Sequence, residues 1–92
     1  MTRQELLDIG FNELPHFTVM NSIVYDLGRK RFLSVSGLGT PNEMIFIQQV
    51  DYKDVQEKNI TDLIVFKNYD YDGCTNIETL KLIITAFTGR IF

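Results

Sequence analysis

Two short runs, Ile45-Phe46-Ile47 and Leu63-Ile64-Val65-Phe66, constrain this chain more than any other feature. In extended backbone, successive side chains point to opposite faces. Each run therefore puts large apolar groups on both sides of a sheet. A sheet wetted on one side would alternate apolar and polar residues instead. Both faces must be covered, and 92 residues leave room for one domain with little to spare.

The flanking sequence says what can do the covering. Thr2 and Glu5 have capping-box spacing, followed by Leu6, Leu7 and Ile9 and then Gly10, which predicts a helix over residues 3–9. At the other end, Thr75 and Glu78 repeat the T-x-x-E spacing. Leu80, Ile83, Ile84 and Phe87 then recur at i, i+3, i+4 and i+7, which predicts a helix of three turns stopped by Gly89. The apolar Ile91 and Phe92 that follow predict a docked segment.

Between these helices the pattern has period two. Residues 11–25 read as extended, with Phe17, Val19, Asn21, Ile23 and Tyr25 on one face and Thr18, Met20, Ser22 and Val24 on the other. Asp26-Leu27-Gly28-Arg29 marks a turn, with Gly28 free to take positive φ. Arg31 to Ser36 alternates as a second strand. Glu43 to Val50 makes a third and Thr61 to Lys67 a fourth, separated by a charged loop over 51–60. Short connections make sequential strands neighbours. The expected fold is α+β: a short N-terminal helix, a four-stranded antiparallel meander, and a C-terminal helix packed on one sheet face as a two-layer sandwich.

Two helices cover one face only. The apolar excess on the other is expected to lie under the 51–60 loop, under the 11–16 segment, or against another chain. Twofold pairing is the commonest route to the last, so a homodimer is an expected partner state.

Charge removes some functions. Lys and Arg total 9 against 12 for Asp and Glu, giving a net charge of -3, which argues against nucleic acid as a partner. The basic residues concentrate at Arg29-Lys30-Arg31, while seven of the twelve acids follow residue 50, so an acidic end would favour basic partners. One cysteine, Cys74, excludes an internal disulfide, and one His with one Cys falls short of a structural zinc set. No apolar run reaches signal-peptide or membrane-span length. A cytoplasmic location without a membrane partner is the expectation.

Three constellations are candidates for chemistry or recognition. Gly37-Leu38-Gly39-Thr40-Pro41-Asn42 links two strands, and its glycines let backbone N–H groups converge on an anion. Gly37, Gly39, Thr40 and Asn42 are the candidate ligand-binding residues, for a small anion or nucleotide. The loop lacks the Lys-Ser/Thr ending of a P-loop. Asn68-Tyr69-Asp70-Tyr71-Asp72-Gly73 alternates aromatic and acidic residues, and Tyr69, Asp70, Tyr71 and Asp72 are the candidate partner-binding residues. It also matches half of a calcium loop, but position twelve is Thr79 rather than Glu. Asp70, Asp72 and Glu78 could do acid–base work, yet a turn and a helix cap account for them equally. His16 and Cys74 sit in no nucleophile motif.

The expected function is thus a small non-enzymatic protein-interaction module, self-associating, without cofactor or metal and with no catalytic residues. Its size and class are those of bacterial or phage accessory proteins, an analogy only. The alternative is a protein that binds or sequesters a small ligand at Gly37–Asn42.

Overall fold

In a computed structural model the chain forms helix α1 (Arg3–Asp8), strands β1 (Ile23–Gly28), β2 (Arg31–Ser36), β3 (Met44–Val50) and β4 (Ile60–Lys67), and helix α2 (Ile77–Thr88). The structure describes residues 1–13, 22–50, 60–68, 70, 73 and 76–92. Residues 14–21 of the expected first strand and 51–59 of the expected loop lie outside them, as do His16 and Cys74. The strands run in the order β1-β2-β3-β4, each antiparallel to the next. This is the α+β meander that the sequence pattern implies.

Helix α1 starts where its capping box dictates. The Thr2 hydroxyl accepts from the Glu5 N–H at 3.2 Å, and the Glu5 carboxylate accepts from the Thr2 N–H at 2.9 Å. The helix ends as Gly10 turns to φ 111°, which lets the chain pass Tyr25; a Cβ there would stand 3.0 Å from that ring. Phe11 then packs its ring 5.5 Å from Tyr25, and Asn12 exchanges two backbone hydrogen bonds with Val24.

The sheet's two faces follow the alternation. On one, cross-strand rows such as Ile23–Val35–Ile45 lie beneath the helices, where Leu6, Ile9, Leu80 and Ile84 complete the core. On the other, Val24, Phe32, Ser34, Ser36, Phe46 and Gln48 are only 1–7% exposed. These described residues of the second face are therefore buried within one chain. Its polar pair is satisfied, the Ser34 hydroxyl donating to the Gln48 side-chain oxygen at 3.1 Å. Burying this face does not require a second chain.

Local expectations need correction at three places. The first turn is not centred on Asp26–Arg29, because β1 runs on to Gly28 and Gly28 pairs with Arg31. Arg29 and Lys30 form the two-residue link, with φ of 55° and 62°. That is the left-handed pair a type I′ hairpin demands, filled here without Asn or Gly. The N-cap of α2 is Asn76 rather than Thr75; its side-chain oxygen accepts from the Thr79 N–H at 2.9 Å. Asn is as strong a cap as Ser and stronger than Thr, and Glu78 is left to pair with Lys81 at 3.3 Å. Finally, Ile91 is not docked: it is 89% exposed.

Candidate interaction surface

Helix α2 places Leu80 and Ile84 in the core at zero exposure, with Ile83 and Phe87 packed beside them. Leu82 stands roughly 200° around the helix from Leu80 at 100° per residue, and it is 70% exposed. The chain then turns at Gly89, which adopts φ 76° and donates its N–H to the Thr85 carbonyl at 2.9 Å. Residues 90–92 come back along the outer side of the helix. Between helix and returning segment lies a groove of about 350 Å³, lined by Glu78, Lys81, Leu82, Thr85, Ile91 and Phe92.

A polar network rather than apolar burial fixes the returning segment. The Thr85 hydroxyl donates to the Arg90 carbonyl at 2.7 Å, and the Arg90 N–H donates to the Thr88 hydroxyl at 3.1 Å. The Arg90 guanidinium reaches across to the Ile9 carbonyl and donates to the Tyr25 hydroxyl at 2.9 Å. Its other role is to stack on Phe92, 4.3 Å from the ring centroid, while the Lys81 ammonium lies 5.9 Å from the same ring. Phe92 is thereby held at 46% exposure, and Ile91 projects outward beside it.

One N–H of the Gly37–Asn42 loop is taken by a carboxylate of the chain itself. The Gly39 N–H donates to the Glu43 carboxylate at 3.1 Å, and that carboxylate takes an ion pair from Lys67 at 3.1 Å. The Thr40 N–H and hydroxyl both bond the Gly37 carbonyl, at 3.0 and 2.6 Å, and the Asn42 N–H bonds the Thr40 hydroxyl at 3.2 Å. A small-molecule anion at this loop has to compete with Glu43. A Cβ at Gly37 would meet the Asn42 carbonyl at 3.0 Å, whereas Gly39 has open space around it.

Of the Tyr/Asp candidates, Asp70 is exposed and its N–H donates to the Asn68 side chain at 2.9 Å in a local turn. Tyr69, Tyr71 and Asp72 lie outside the described residues. The basic cluster does not act as one patch. Arg31 lies under α2 with its guanidinium 5.2 Å from the Phe87 ring, and its buried Nε has no hydrogen-bond partner among the described residues. Among the described residues no group of three or more His, Cys, Asp or Glu is placed to hold a metal. No helix among them is long and apolar enough to cross a membrane.

The groove's Lys81, Leu82 and Thr85 are not among the candidates read from the sequence. One signal for Leu82 is legible afterwards: it is a large aliphatic residue on the side of α2 opposite the Leu80–Ile84 stripe. Comparison with protein-family models, with curated proteins and with solved structures finds no match.

Proposed function

We propose that this chain is a non-enzymatic, cytoplasmic protein-interaction domain that binds through the outer face of α2 and the segment behind it. The observation that carries this reading is the groove at Leu82, Ile91 and Phe92, where three large apolar side chains are 46–89% exposed. Contiguous exposed apolar groups with a polar rim are the usual mark of a protein contact site. Most described apolar side chains of the sheet are buried, and among the described residues the large apolar groups exposed outside this groove are Ile64 at 43% and Leu7 at 38%.

The test is a photo-crosslinking amino acid placed at Ala86, which is exposed on α2 beside the groove, in the cells that make the protein. A discrete protein adduct is expected there, lost when Leu82→Glu is added. An identical probe at the exposed Asp8 of α1 should give none. No adduct from Ala86, or the same adducts from both positions, would overturn the reading.

A further inference from the structure

Resting on the binding face proposed above, we infer that its occupant is a second copy of this chain, with Ile91 of each copy seated in the groove of the other. A twofold contact demands a surface complementary to itself, because residue i meets j and j meets i. This face has both halves of such a contact side by side. The groove of about 350 Å³ is the hole, and Ile91, at 89% exposure, is the knob.

The knob is rigid. Every other side chain of the returning segment is committed: Arg90 to Ile9 and Tyr25, and Phe92 to Arg90 and Lys81. The backbone is held by Thr85 and Thr88. An isoleucine kept outward on a fixed backbone loses little freedom on docking, which favours association.

The rim charges fit a second copy. Glu78 and Lys81 contribute one acid and one base, which pair at 3.3 Å within one copy and can exchange partners across a twofold axis. Across a twofold axis, Glu78 of one copy can face Lys81 of the other. The face is also small. A 12-residue helix is about 18 Å long, and a contact of that span falls at the low end of specific interfaces. The dimer is therefore weak and concentration-dependent.

Sedimentation velocity on the purified full chain, from about 10 to about 500 µM, tests this. The wild type should show a rising sedimentation coefficient. Ile91→Asp should weaken association at least about tenfold without lowering the melting temperature, because Ile91 makes no buried contact. Glu78→Lys gives a face with two bases and Lys81→Glu a face with two acids. Each alone should associate less than wild type, and an equal mixture of the two should recover. A wild type that stays monomeric throughout, an Ile91→Asp chain that associates like wild type, or a mixture no better than its components would each overturn the inference. An adduct from Ala86 to a different protein, with a monomeric wild type, removes the second copy but leaves the binding face standing.

Discussion

The two sides of α2 each carry a leucine, and the two leucines do opposite things. Leu80 and Ile84 are wholly buried over the sheet, while Leu82, two residues from each, is 70% exposed. The residue type is the same, so it does not separate Leu82 from Leu80. What separates them is the sheet: the inner stripe meets Ile23, Val35 and Ile45, and the outer side meets Lys81, Thr85 and the returning Ile91 and Phe92. The inner side accounts for stability. The outer side is left over from folding and is free for a contact.

Single substitutions test that contrast. Ile84→Ala opens a cavity in the core and should cost about 2–5 kcal/mol, read as a fall in thermal or urea midpoint. Glu43→Gln should cost roughly 1–3 kcal/mol, because Lys67 and the Gly39 N–H lose a charged partner that is only 12% exposed. This loop takes no part in the proposed contact, so association should stay unchanged in the same sample. Asn76→Ala removes the α2 cap and should cost about 1 kcal/mol in chemical denaturation. Arg90→Ala should cost a similar amount, about 1 kcal/mol, by removing the bonds to Ile9 and Tyr25. It should also weaken association several-fold, since Ile91 is no longer held. Leu82→Ala is the smallest, within about 0.5 kcal/mol of wild type in stability. A loss of about 2 kcal/mol or more there would mean the outer side is already packed, and the contrast would fail.

Much of this fold is legible in the sequence because period and chemistry agree. Arg31–Ser36 is a strand with the expected bounds, and Leu33 and Val35 share a face with Ile45 and Ile47 as alternation requires. Thr2 and Glu5 cap α1, and Gly89 stops α2. Legibility fails where two chemically equivalent choices adjoin. Thr75 and Asn76 can both cap, and only the backbone decides for Asn76. Arg29 and Lys30 carry no turn signal; the Gly28–Arg31 pairing forces them left-handed. The same limit applies to the site. An anion nest is readable at Gly37–Asn42, but that Glu43 fills it depends on a side-chain orientation no spacing reveals. Ile91 and Phe92 read as a docked pair because both are apolar, yet the segment is fixed by Arg90, whose partners Ile9 and Tyr25 are distant in sequence.

The central claim is that contact happens on the outer side of α2 and nowhere on the inner side. A dilution series followed by amide nitrogen–proton NMR tests it residue by residue. Concentration-dependent shifts should map to Glu78, Lys81, Leu82, Thr85, Ile91 and Phe92, with Leu6, Leu33 and Gly37–Glu43 unmoved. Shifts centred on the Gly37–Glu43 loop or on β4 would contradict the placing of the contact on α2, and none at any residue of the groove would contradict a second copy as its occupant.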